Sequence, residues 1–548
     1  MKKYLLLLLC IPLTSQELAD VLWNKAQLSN TFHYADISKA AIDLPNNGKS
    51  FSGILKVDQP AVGIGYNVII DSRKIYQDNH KNIPKFEIEI SSLDGKVYPK
   101  NTKIIETNHL FWNIQFGVGS SKLETSSSNT LITLPFSLIH KSANCIHNGI
   151  GVFSISNENQ ISNIIFEIAS ETCAYYKFDY VGLYSAKFQF INTVPDLSNN
   201  IGKNIMSIEN LYNRYNLTNK SFLNSDYIDP SNVTIFGLID SNNHYVSSCM
   251  TRLGNYPFCD QILLPSYSLA KSIAGTFSLS LLESQYGSIS NLYVSDLVPE
   301  CYGRKWKNVT LNNLSDMSTG QYFNSTHDFD ESSVASSEVI FMFEEHKDKI
   351  KKACSAFPKK TKPGTRFVYH TSDTYILGVA LNNYLQSNSN RKDYFNDVLI
   401  PFLESNNLSQ TSQSVLATND NIKQSYTGWG MFFLRSDLDR LSTIIHNIKN
   451  NSSTQLTYLY DALNPNDNNS LLAIPSVNIY YNNGFWSRKF DKDIFNCSED
   501  VWIPFMSGFG GITFAFFPNG MSYYYFSDGY EFAWESAIFS SHSIKPFC

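Results

Sequence analysis

Ser268 and Lys271 stand three residues apart in the run Pro265-Ser266-Tyr267-Ser268-Leu269-Ala270-Lys271-Ser272. On a helix, residues i and i+3 share a face, so the lysine Nζ can reach the serine Oγ. A serine hydroxyl is a weak nucleophile until a neighbouring base takes its proton, and a lysine kept neutral by burial can take it or assist another base. Amide donors at a helix N-terminus also favour the negative charge that develops on an attacked carbonyl. The rival reading of this spacing is a helix-capping serine beside a solvated lysine. Three downstream segments weigh against it. Leu314-Ser315-Asp316-Met317-Ser318-Thr319-Gly320 comes first, and residues 362–378 then place Tyr369 at a turn before a helix. Last comes Ser507-Gly508-Phe509-Gly510-Gly511, whose glycines let a strand approach a substrate closely.

The elements that must position these residues are legible as periodicities. Residues 269–283 read as an amphipathic helix with Leu269, Ile273, Phe277, Leu281 and Leu282 on its apolar face. Residues 233–240 and 244–250 read as strands joined by Ser241-Asn242-Asn243, and 437–447 as a further helix. Strands at 512–517 and 521–526 flank the hairpin signal Pro518-Asn519-Gly520, with a short helix at about 531–539. Before residue 200 the texture differs. Phe86-Glu87-Ile88-Glu89-Ile90 alternates cleanly, Asp94-Gly95 supplies a turn, and 130–139, 151–155, 163–168 and 180–190 are strand-like. The expected organisation is a mostly-β, sandwich-like N-terminal domain over 17–200 and an α+β domain over 201–548. Packing, or the binding of a surface or glycan, are equally open roles for the first.

The 548 residues allow two or three domains at about one per 150. Lys and Arg number 43 against 49 Asp and Glu, a formal charge of −6, which argues against nucleic acid as partner. Met1-Lys2-Lys3, the apolar run to Leu13 and the polar Thr14-Ser15-Gln16 read as a secretory signal over 1–16, which places the protein in the periplasm or medium. Cys10 follows Leu9, whereas lipid attachment usually follows a small residue. No later apolar run of about 18 residues appears, so no permanent membrane anchor is expected. The other cysteines are Cys145, Cys173, Cys249, Cys259, Cys301, Cys354, Cys497 and Cys548, an even set that fits disulfides in an oxidising compartment. Pairing of chain neighbours is expected, Cys249 with Cys259 and Cys497 with Cys548 among them. Neither C-x2-C nor His-x3–5-His spacing occurs, and no metal or cofactor is expected.

The order of these motifs resembles the serine β-lactamase-related superfamily of class C β-lactamases, D-alanyl-D-alanine carboxypeptidases, esterases and the 6-aminohexanoate-dimer hydrolase type. The resemblance covers residues 201–547 and implies a β-lactamase/transpeptidase-like hydrolase fold, an antiparallel sheet flanked by helices. It implies Ser268 as acylated nucleophile, Lys271 as its proton acceptor, and Tyr369 as partner base and later proton donor to the leaving group. The run Thr427-Gly428-Trp429-Gly430-Met431 with Ser436-Asp437-Leu438 matches a further family segment. For the oxyanion it implies the N–H groups of Ser268 and of the strand after Gly511, expected at Ile512. Two departures stand out: Phe509-Gly510-Gly511 has no Lys or His at the first place of the closing triplet, and Thr371 replaces the Asn of β-lactamases. A small or short-peptide ester or amide is therefore the expected substrate, neutral rather than anionic. The alternative is a binding protein that keeps the fold and has lost turnover.

Overall fold

The computed structural model describes residues 14–27, 34–42, 44, 48–58, 63–124, 127–192, 203–326 and 328–548. Met1–Leu13 of the expected leader and the expected domain boundary at 200/201 lie outside the described residues. Thr14, at the end of that leader, caps a helix over Ser15–Leu22, accepting the Glu17 N–H while the Glu17 carboxylate accepts the Thr14 N–H. This helix buries Leu18, Val21 and Leu22 in the core.

The alternating residues between 52 and 190 form eleven strands joined into one antiparallel sheet. Its centre is the hairpin of Thr130–His140 and Ile146–Ile155, paired from Thr130 opposite Ile155 to Ile139 opposite Ile146. A mostly-β, sandwich-like region was expected, and its strands are hydrogen-bonded into one antiparallel ladder. Short turns such as Asp94-Gly95, both at positive φ, keep chain neighbours such as 86–93 and 96–99 side by side.

The second sheet has nine strands, in the order 204–207, 243–246, 233–239, 522–527, 512–516, 501–508, 485–490, 479–482 and 471–474. Only the 204–207 edge is parallel to its neighbour. Helices Arg435–Lys449 and Glu535–Ile544 form where the periodicity placed them, each extending or shifting by a few residues.

The helix that follows Ser268 differs from its expected form. It is π-helical over Lys271–Phe277 and α-helical over Ser278–Tyr286, and every residue from Lys271 to Ser280 is buried. Its hydroxyl-bearing face is not turned to solvent. Ser272 Oγ donates to the Gly484 carbonyl at 2.6 Å, Thr276 Oγ1 donates to that of Asn483 at 2.5 Å, and Ser280 Oγ accepts the Leu459 N–H at 3.1 Å. Polar residues satisfied in this way can be buried without the usual penalty.

Four disulfides form, all between chain neighbours: Cys145–Cys173, Cys249–Cys259, Cys301–Cys354 and Cys497–Cys548. Cys301–Cys354 closes a loop with a sequence separation of 53. Replacing both cysteines by Ser should lower the unfolding free energy by about 4 kcal/mol through loop entropy. The shift of the denaturation midpoint measures it; an unchanged midpoint would show that the bridge adds nothing.

The two sheets share one apolar core, to which Phe136, Ile150 and Tyr176 of the first half and Leu264, Ile273 and Phe526 of the second belong. Polar contacts, the first of them buried, cross the same seam. Lys177 Nζ lies 2.5 Å from Asp528 Oδ1, and Arg252 pairs with Glu171 and with Asp179, the latter at 2.7 Å.

Candidate active site

Ser268 ends a tight turn and Leu269 begins the buried helix, so the hydroxyl stands at the helix mouth, half-buried between fully buried neighbours. Lys271 Nζ donates to Ser268 Oγ at 2.9 Å, to Thr371 Oγ1 at 2.9 Å and to the Gly428 carbonyl at 3.1 Å. Burial pushes the Lys271 pKa down to about 8, against the upward pull of the Glu331 carboxylate. The chain holds a second serine and lysine at this spacing, Ser389 and Lys392. There Lys392 is exposed and Ser389 Oγ donates to the Leu385 carbonyl at 2.7 Å.

Tyr369 arrives from the segment that leads into the Thr371–Asn388 helix. The Met317–Gly320 run holds that segment: the Met317 carbonyl accepts the Val368 N–H at 2.9 Å, and that of Ser318 accepts the Gly364 N–H at 2.8 Å. At Gly320, with φ at 73°, a Cβ would come 2.4 Å from the Thr361 carbonyl, so only glycine permits the approach. The Tyr369 ring stacks on Trp486 with centroids 5.7 Å apart, its side chain lines the same cavity as Ser268, and Lys271 Nζ lies 5.0 Å from its ring centroid. Burial pushes its pKa well above the ordinary value, the Ser268 contact opposing, so at neutral pH the group is a phenol. Ser268, Lys271 and Tyr369 thus meet, from segments a hundred residues apart.

They meet at one edge of a cavity of about 600 Å³ lined largely by aromatic and aliphatic side chains, among them Tyr175, Phe341, Trp429, Trp486 and Trp534. Ser507 and Gly508 at the end of a strand and Phe509 of the turn after it form one wall, whereas Gly510, Gly511 and Ile512 do not line it. Gly510 and Gly511 make the turn, where added Cβ atoms would face Ser527 and Glu531, and the Ile512 side chain is fully buried opposite Gly508 on the next strand. At Gly508 a Cβ would come 3.0 Å from the Ser266 carbonyl, so this strand packs directly on the turn that ends at Ser268. The Phe509 ring stacks on Tyr175 at 5.3 Å and meets Tyr530 edge-on at 5.0 Å. Asp437 lies elsewhere and caps its own helix, accepting the N–H groups of Ser409 at 2.7 Å and Leu434 at 2.8 Å.

Glu331 escaped the sequence reading. Its carboxylate accepts the hydroxyl of Thr371 and the Thr371 N–H at 2.9 Å, and so orients the residue that holds Lys271. His370 fixes this loop. Its Nε2 lies 3.0 Å from Asp330 Oδ2, and its ring stacks on Phe357 with centroids 3.9 Å apart. Burial works against the imidazolium, but Asp330 and Asp373 outweigh it and raise the pKa to about 9. No spacing rule links Glu331 to Ser268; only the fold does.

No family model and no curated protein matches this sequence. Among solved structures, a provisionally named 6-aminohexanoate-dimer hydrolase from Bacillus anthracis is 16% identical over 59% of this chain and 81% of its own, with a TM-score of 0.41. A class C β-lactamase is 14% identical over 58% of this chain and 94% of its own, with a TM-score of 0.40. The penicillin binding protein from Bacillus halodurans is 13% identical over 62% of this chain and 99% of its own, also at 0.40. The structures this chain is similar to thus include a class C β-lactamase, a penicillin binding protein and a provisionally named 6-aminohexanoate-dimer hydrolase.

Proposed function

We propose that the protein is an exported serine hydrolase that cleaves a neutral ester or amide through an acyl-enzyme on Ser268. The observation that carries this reading is the buried Lys271 Nζ 2.9 Å from Ser268 Oγ at the edge of a substrate-sized cavity. Neutral Lys271 takes the Ser268 proton as Oγ attacks the carbonyl carbon. The C=O electron pair moves onto oxygen, where the N–H of Ser268 and an N–H of the strand wall receive it. Phe509, the wall residue at the cavity, supplies this second donor in place of Ile512. As the tetrahedral adduct collapses, the Tyr369 phenol gives its proton to the departing alcohol or amine and regains one from Lys271. Water then attacks the acyl carbon by the same route in reverse and frees the acid. The aromatic lining favours an apolar acyl or leaving group. The four disulfides fit an oxidising destination outside the cytosol, and among the described residues no helix is long and apolar enough to cross a membrane.

A panel of p-nitrophenyl esters, short amides and D-amino peptides should give a product burst that depends on Ser268. Folded wild-type protein with no burst on any member would remove the reading and favour a binding role.

The acylation rate should also rise with pH and level off above about pH 8. Lys271 must be neutral to accept the proton, and its folded pKa is lowered to about 8, so its competent fraction grows as pH passes that value. Stopped-flow burst rates across pH test this; a flat profile would show that Lys271 is not the acceptor. The His370–Asp330 pair gives the upper limit. The pKa of His370 is raised in the fold, so its contribution is complete below the ordinary histidine value and is lost as pH rises through about 9.

A further inference from the structure

We infer that Asn144, on a turn of the N-terminal sheet, is a positioning residue for the nucleophile, which makes that sheet a working part of the hydrolytic site. Asn144 is fully buried, with φ at 51°, between the two central strands. Its side chain leaves its own sheet and enters the catalytic half. Oδ1 accepts the Tyr267 N–H at 2.7 Å and the Gly430 N–H at 3.0 Å, with Ser266 Oγ 3.3 Å away. Nδ2 donates to the Met431 carbonyl at 3.4 Å.

One side-chain oxygen thereby holds two chain segments that the proposed chemistry needs in register. Tyr267 immediately precedes Ser268, and its φ of 39° lies in the left-handed region that a bulky residue rarely adopts. Such a conformation persists where its surroundings over-determine it, and the Asn144 contact to the Tyr267 N–H is one such constraint. Gly430 belongs to the segment whose Gly428 carbonyl accepts Lys271 Nζ. Asn144 therefore sets where Ser268 stands relative to the group that anchors its base.

The turn is itself anchored. Cys145, the next residue, is bridged to Cys173, and the Cys173 N–H donates to Asp528 Oδ2 at 3.1 Å. Ala143, on the other side of Asn144, lines the cavity, as do Tyr175 and Arg73 of the same sheet. The guanidinium of Arg73 lies 5.6 Å from the Tyr175 ring centroid, and the Tyr175 ring covers Phe509. The N-terminal half thus supplies both a wall of the cavity and the contact beneath its nucleophile.

The inference rests on Ser268 being the acylated residue, and the test separates the two. The maximal rate of labelling by a fluorophosphonate probe is measured for full-length wild type, Asn144→Ala and Asn144→Asp. Asn144→Ala should label about 10²-fold more slowly, the scale of effect that a displacement of about 1 Å carries, with the half-saturating probe concentration unchanged. Asn144→Asp keeps an oxygen that accepts the Tyr267 and Gly430 N–H groups, so it should label within about tenfold of wild type. A folded Asn144→Ala that labels at the wild-type rate overturns the inference. So does a folded Asn144→Asp that labels about 10²-fold more slowly than wild type, which also decides the matter if the alanine variant does not fold. Wild type that shows no Ser268-dependent labelling removes the underlying reading instead.

Discussion

Ser268→Ala should reduce kcat on any ester the wild type cleaves by a factor on the order of 10⁶, the scale seen when a serine nucleophile is deleted. The cavity retains other hydroxyls, from Ser332, Ser337, Thr371 and Ser507, so the loss is not a general loss of nucleophiles. What the variant loses is the hydroxyl that Lys271 holds at the mouth of the buried helix. Binding should survive, because the aromatic walls do not involve Ser268, so KM should change little while kcat collapses. A residual rate within tenfold of wild type would assign the chemistry to another residue.

Lys271→Ala should cost about 10²–10⁴-fold in acylation, the usual worth of a positioned general base. The variant leaves Thr371 Oγ1 and the Gly428 carbonyl without their shared donor, so part of the loss is positional. The pH profile separates the two parts. In the variant the rise towards pH 8 should vanish, because the group responsible for it is gone. If the slow variant kept that rise, Lys271 would be a structural cation and another group would accept the proton.

Much of this site was legible because it is built from short-range chemistry. The Ser268–Lys271 spacing survives folding unchanged, since a helical turn fixes which residues share a face. Tyr369 at a turn before a helix was likewise a local signal. The buried helix misled because hydroxyls read as solvent-facing, and nothing nearby in the chain reveals that Gly484 and Asn483 will offer them carbonyls. The strand wall was displaced by a few residues for a related reason. In Ser507-Gly508-Phe509-Gly510-Gly511 several glycines could take the close approach, and only the Gly508–Ile512 register shows which side of the turn faces the cavity.

Glu331 and Asn144 were illegible on stronger grounds. Glu331 becomes relevant through the His370–Asp330 pair, which brings a loop from forty residues upstream under the Thr371 helix. Asn144 sits 123 residues before Tyr267 in another sheet and reads locally as an ordinary turn asparagine. The N-terminal sheet had been legible as strands and silent as to purpose. Its strand pattern survived, and the purpose inferred for it rests only on the buried contacts it makes with the second half.

The central claim is that Ser268 is the residue acylated. The direct measurement is intact-mass and peptide mapping of the protein quenched during the burst with an activated ester. The account predicts one acyl adduct per chain, on the peptide containing Ser268, absent in Ser268→Ala and stable enough to trap below about pH 8, where Lys271 is largely protonated. An adduct on Ser337, Ser507 or any other residue, or full turnover with no adduct at Ser268, would contradict it.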